Sequence, residues 1–265
     1  MAIATLTAGR AITAVGPAVR GLAAVGAAGI LIGVPAGLVS RAIMKVSALA
    51  GGPVVAGVHT SKGNVVGDFT ADGTLALVIL AGVVPAISAA LLYLAVRPWL
   101  LRLGAWRGLV LGAYGLALTG FSVLEPGNND FVRFGPPALN IAMFAALFIA
   151  VGIAVAPITD AWLRGAEHPS PGQVVLLGPG LLLAALATFA LGVGGTAGAW
   201  AARTRSEHFG AADAAALLFW SVAIGILAQH WKTALPLGLA LLAALLACGA
   251  WITASAIRLL LAQSL

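Results

Sequence analysis

The polar side chains that could do chemistry gather in short connections between long apolar stretches. The densest is residues 125–137, which bring together acids, amides and a guanidinium: Glu125, Asn128, Asn129, Asp130 and Arg133. Such a set could bind a cation, a lipid headgroup or a partner protein. A capped turn is the favoured alternative, because Pro-Gly-Asn-Asn is strong turn chemistry and a Pro-Pro pair suits the start of a helix.

Two further pairs have the spacing of one helix face. Asp68 and Asp72 could hold a divalent cation, but Asp72 also stands where a helix N-cap is expected, and capping is favoured. Arg41 and Lys45 could bind phosphate or an anionic headgroup, or they could extend from a helix end towards the membrane surface.

Ionisable residues are missing from the middle of the apolar stretches, which argues against a proton-coupled pump. Asn140 is the one amide placed inside an apolar stretch. It could contact a ligand, although a hydrogen bond between helices is the favoured role. No nucleophile elbow, HExxH or phosphate-binding glycine loop occurs, so we expect no catalytic residues, no metal and no cofactor.

Composition places this chain in a membrane. Of its 265 residues, 61% are apolar and 8% are charged, and the mean hydropathy is +1.07. A soluble domain has about 25% charged residues, so lipid must solvate most of this surface. The net charge of +6 comes from scattered basic residues. Without a basic cluster, we expect membrane lipids and other membrane subunits as partners, and no nucleic acid.

Stretches of about 20 apolar residues predict transmembrane helices. The fold class is therefore an all-α, polytopic transmembrane helix bundle of about seven spans, forming a single integral membrane domain over residues 1–265. Glycine-rich segments at Gly178–Gly180 and Gly192–Gly195 predict a kink or local unwinding in the fifth span. The predicted spans are Leu22–Ser40, Gly73–Val96, Gly108–Leu124, Pro137–Thr159, Val174–Trp200, Ala214–Gln229 and Ala234–Ile257.

The connection that contains Arg97, Arg102 and Arg107 is basic and free of acids, which indicates the cytoplasmic side. With seven spans, the N-terminus would then be cytoplasmic, in a cell inner membrane. The loops in 41–72 and 125–137 would lie on the outer side.

Four motifs carry a resemblance to other proteins: the run from Gly37 to Lys45, the run from Asp68 to Leu75, the turn Arg97–Leu100, and Gly135-Pro136-Pro137. Through these motifs, residues 30–165 resemble a group of uncharacterised bacterial multi-spanning inner-membrane proteins. The resemblance covers about half of the chain, and it implies a bacterial inner-membrane setting without a known activity.

Three functions remain open at this point. The leading one is a structural or accessory subunit of a membrane assembly, indicated by the small-residue face Gly26, Gly29, Gly33 and Gly37. The second is a transporter or channel for a small or lipidic solute, using the kinked fifth span and Asn140, with the Glu125–Arg133 loop as an outer gate. The third is a membrane enzyme that modifies a lipid headgroup, with Arg41, Lys45, Asp68 and Asp72 at the outer interface.

Overall fold

The computed structural model describes residues 16–55, 58, 70–124, 135–167, 169–204, 211–230 and 235–262. These residues form long helices, and none of them belongs to a strand. In chain order the helices are α1 (Pro17–Ala50), α2 (Ala71–Leu77, Val78–Val83 and Val84–Leu100), α3 (Arg107–Thr119), α4 (Pro137–Gly165), α5 (Pro171–Phe189, Ala190–Gly195 and Thr196–Thr204), α6 (Ala211–His230) and α7 (Leu235–Ala262).

Six helical stretches of the described chain are long and apolar enough to cross a membrane. One of them, Ala71–Ser122, has 52 residues, which is about twice the length that a bilayer needs. It contains α2 and α3, which are separated by the turn Leu101–Trp106, where Gly104 has φ 55°. L-residues with side chains rarely adopt this conformation, so glycine allows the chain to reverse here. The predicted bundle of about seven spans is confirmed.

Glycine contacts show that α1 and α2 run antiparallel. Gly33 of α1 packs on Val83 of α2, whereas Gly29, one turn earlier, packs on Ile87. A side chain added at Gly33 would overlap the α2 backbone, so the close approach requires the glycine. Helix α1 also contacts α4 and α5, and it therefore lies at the centre of the bundle.

The alternating directions of the helices place their termini at the two ends of the bundle. The arginine end is defined by Arg97, Arg102 and Arg107 at the α2–α3 turn, and α1 starts there. The opposite end holds Ala50, the start of α2 and the start of α4. A central apolar cluster fills the space between the ends, with Tyr93, Leu92 and Ile87 among its fully buried members.

Two predicted details differ from the structure. Helix α1 continues to Ala50 instead of ending at Ser40, because residues 41–50 are mostly good helix formers and Gly51-Gly52-Pro53 stops the helix only afterwards. In α5, the helix continues through Pro179. The irregularity occurs further along, as a π-helical turn at Ala190–Gly195, which is the second of the two glycine-rich segments.

Candidate functional site

The main polar site of the described chain is built around the Asp160 carboxylate at the arginine end. Asp160 is 2% exposed. The Tyr93 hydroxyl donates a hydrogen bond to Asp160 Oδ2 at 2.8 Å, and Arg97 Nε donates to Oδ1 at 2.7 Å. Arg107 Nη2 lies 3.2 Å from Oδ2. One buried carboxylate therefore joins α2, α3 and α4, and two of its three contacts are charge-assisted pairs with arginine.

Local structure explains why these four residues meet. Tyr93 and Arg97 are four residues apart on α2, so they share one face of that helix. The Gly104 turn then reverses the chain and brings Arg107, the first residue of α3, to the same height. Helix α4 runs antiparallel to α3, as Gly108 packs on Ile153 and Gly112 on Ile149. Asp160, near the end of α4, consequently lies level with the turn.

The arginine side chains keep N–H groups that do not contact this carboxylate. Arg97 is 36% exposed and Arg107 is 28% exposed at the side chain, whereas Asp160 is 3% exposed. Each guanidinium has five N–H donors, so both can make further hydrogen bonds on the solvent side. Arg102, between them, is exposed. Three arginines against one carboxylate leave a formal charge of +2 at this turn.

At the opposite end, the structure brings together two of the predicted residues. Arg41 is buried, at 6% exposed, and lies near enough to Asp72 for their charges to interact. Lys45 follows one turn later on α1 and is half-buried. The predicted capping role of Asp72 is wrong in detail: Thr70 is the N-cap of α2, and its Oγ1 accepts a hydrogen bond from the Gly73 amide at 3.3 Å. Asp72 lies in the first helical turn, where a negative charge favours the positive helix end.

The remaining predicted site residues divide into two groups. Asn140 is buried, but it belongs to the first turns of α4 at the opposite end, and it does not lie at the centre of the membrane. The other candidates fall outside the described residues: Asp68, Glu125, Asn128, Asn129, Asp130 and Arg133.

Polar groups midway through the bundle belong to other residues. The side-chain oxygens of Tyr114 on α3 and Ser221 on α6 are buried and make no hydrogen bond of ordinary geometry within the described ranges. The two side chains are close neighbours. A solute path would need polar groups at this depth, so these hydroxyls are better placed for it than Asn140.

Sequence reasoning missed the Asp160 site because the predicted fourth span stopped at Thr159. The three arginines were interpreted only as a topology signal. Two features of the sequence could have predicted the site. One acid lies at the end of a predicted span, and a short turn with three arginines and no acid lies at the same end of the bundle. A buried or interfacial carboxylate needs a cationic partner, and this turn offers three arginines and no competing acid.

The fold and the site together define a polytopic α-helical membrane protein with an ion-paired helix junction at one end. Comparison of the chain with protein families, with curated proteins and with solved structures finds no match. No group of three or more possible metal-ligating side chains occurs in the part of the chain that the structure describes.

Proposed function

We propose that this chain is a structural or accessory subunit of a membrane assembly, held by another membrane-spanning protein against its α5–α6 side. The proposed location is a bacterial inner membrane, with the arginine end of the bundle on the cytoplasmic side. The orientation is supported by the short basic turn, which contains three arginines and no acid.

The small-residue face of α1 does not support this proposal. Gly26 packs on Gly180, Gly29 on Ile87, Gly33 on Val83 and Gly37 on Val78, so the face is used within the chain itself. A partner must therefore bind elsewhere on the bundle.

The single observation that carries the proposal is Trp220. It lies midway along α6 and is 48% exposed, so a bilayer spanned by this helix would surround it near its centre. Tryptophan prefers the headgroup region, because an indole N–H without an acceptor is costly in hydrocarbon. An acceptor on a neighbouring protein would remove that cost.

The adjoining surface is suited to a helical partner. Helix α5 packs on α6 through Gly192, which contacts Phe219. The outward side of α5 forms a continuous apolar stripe, which we call the α5 face. Gly178 lies on this side with open space around it, so another helix could approach its backbone closely. The α5 face consists of Val175, Leu182, Leu186, Phe189, Val193 and Trp200.

The test is to extract the tagged chain from its native membrane in mild detergent and measure the protein mass of the particle by native mass spectrometry. We expect a mass well above the 26.4 kDa of one chain. Trp220→Leu and Gly178→Leu should each shift the particle towards the single chain, since both alter the proposed contact. Trp106→Leu, an exposed tryptophan at the arginine end, is the matched control and should leave the mass unchanged. A particle of one chain in all four proteins would overturn the proposal.

The other two functions stay predictions. The neighbouring Tyr114 and Ser221 hydroxyls support a transporter or channel. The proximity of Arg41 and Asp72 supports an enzyme that acts on a lipid headgroup.

A further inference from the structure

The turn between α2 and α3 has two kinds of exposed side chain that suit a membrane surface. Arg102 is exposed and charged, while Leu101 and Leu103 are exposed and apolar. Trp106 at the end of the turn is 67% exposed. Leucine and tryptophan side chains would enter the headgroup region, where an indole is stable, and would hold the arginines at the depth of the lipid phosphates.

The charge of this turn is also unbalanced. Asp160 is fully engaged by Tyr93, Arg97 and Arg107, and its single negative charge cannot neutralise three arginines. The formal charges of Arg164, in the last turn of α4, and Glu167, just after that helix, sum to zero. The guanidinium N–H groups that face away from Asp160 have the fork geometry that matches phosphate oxygens.

We propose that this turn binds the headgroup phosphate of an anionic phospholipid, which Arg102 contacts together with the outward N–H groups of Arg97 and Arg107. Asp160 and Tyr93 serve as positioning residues: they hold Arg97 and Arg107 at a fixed separation before the lipid arrives. The proposal is independent of the accessory-subunit function, because it concerns the arginine end and not the α5–α6 side.

The experiment uses the full chain in nanodiscs of phosphatidylcholine, with phosphatidylglycerol added in increasing proportion. Native mass spectrometry after release from the nanodisc counts the phosphatidylglycerol molecules that stay bound, and the titration gives an apparent affinity. We expect one tightly held phosphatidylglycerol on the wild-type chain. Arg102→Gln should weaken that affinity about fivefold, which is the factor that one arginine near an anionic surface contributes.

Two matched variants test whether lipid binding depends on a positive charge at this turn. Arg258→Gln removes an exposed arginine near the end of α7, at the opposite end of the bundle, and should leave the affinity unchanged. Arg102→Lys keeps the charge and should retain most of the binding. Equal affinities for Arg102→Gln and Arg258→Gln would overturn the proposal, as would equal retention of phosphatidylcholine and phosphatidylglycerol.

A third arm identifies the source of the phosphate. Inorganic phosphate is added to the chain in nanodiscs that contain phosphatidylglycerol, and Leu103→Ala is compared with the wild-type chain. For a lipid site, phosphate should fail to displace the lipid and Leu103→Ala should weaken lipid retention. Displacement by millimolar phosphate together with unchanged retention in Leu103→Ala would instead indicate a site for a soluble anion and would overturn the lipid assignment.

Discussion

At the scale of single residues, Asp160 has the most consequential environment that the structure describes. It is a buried acid whose charge is balanced by groups from two other helices. A buried ion pair contributes little net free energy compared with apolar packing, but removing one partner leaves the other charge without compensation. The same carboxylate also holds Arg97 and Arg107, whose side chains stay partly exposed.

Asp160→Asn should destabilise the protein, because it removes the negative charge between two arginines. We expect a loss of about 2 kcal/mol in the free energy of unfolding, less than for a fully buried pair since both arginines are partly solvated. The measurement is thermal unfolding in detergent, followed by tryptophan fluorescence. Glu167→Gln, which removes an exposed acid at the same end, is the control and should unfold like the wild type. Equal stability of the two variants would show that the carboxylate does not hold the helices together.

At the scale of helices, close glycine contacts decide how the bundle packs. Helix α1 is the central element, and its glycines let α2 and α5 approach to backbone contact. The turn in α2 at Val78–Val83 is π-helical, and it lies where Gly33 and Gly37 of α1 meet Val83 and Val78. The wider π-helical turn and two of the α1 glycines therefore lie at the same contact, where the close approach leaves no room for added side-chain volume.

Gly33→Ala should weaken the α1–α2 contact, because its methyl group would overlap the Val83 backbone. We expect a loss of about 1–3 kcal/mol, typical of overpacking a close contact. Gly21→Ala, in the same helix with open space around it, should be neutral or slightly stabilising, by up to about 1 kcal/mol. Unfolding of both variants in a graded mixture of mild and denaturing detergent measures the difference. If Gly21→Ala lowers the free energy of unfolding as much as Gly33→Ala does, then backbone flexibility and not packing explains why position 33 is a glycine.

At the scale of the whole molecule, the antiparallel order of the helices separates the chain into two polar ends joined by an apolar bundle. The arginine end has the ion-paired junction, and the opposite end has Arg41 near Asp72. An odd number of spans places the start of α1 and the end of α7 on opposite sides of the membrane. This arrangement depends on the chain reversing at Gly104.

Single cysteines can test this arrangement in sealed membrane vesicles. In a Cys248→Ser background, which changes only an exposed side chain, Ala105→Cys at the α2–α3 turn and Ala50→Cys at the end of α1 are labelled with an impermeant maleimide. We expect labelling from opposite sides, with Ala105→Cys accessible from the cytoplasm. Gly16→Cys should follow Ala105→Cys, and Ala262→Cys should follow Ala50→Cys. Labelling of Ala50→Cys and Ala105→Cys from one side would contradict the fold.

The amino-acid sequence by itself determined the fold class and the approximate number of spans. Apolar stretches of bilayer length must become helices, because a backbone in hydrocarbon has to satisfy its own hydrogen bonds. The sequence also indicated the basic turn, since charge is rare enough in this chain for three close arginines to stand out. These conclusions depend on local composition, which does not require knowledge of the neighbouring helices.

Only the tertiary structure decided which polar residues meet. Asp160 is 63 residues from Arg97 and 67 from Tyr93, and no local pattern links them. Their contact depends on how α4 lies against α2 and α3, which is set by glycine packing. The structure likewise assigned the α1 glycines to contacts within the chain and left Trp220 exposed on α6. Amphipathic periodicity cannot make these distinctions in a membrane protein, because lipid-facing and protein-facing surfaces are both apolar.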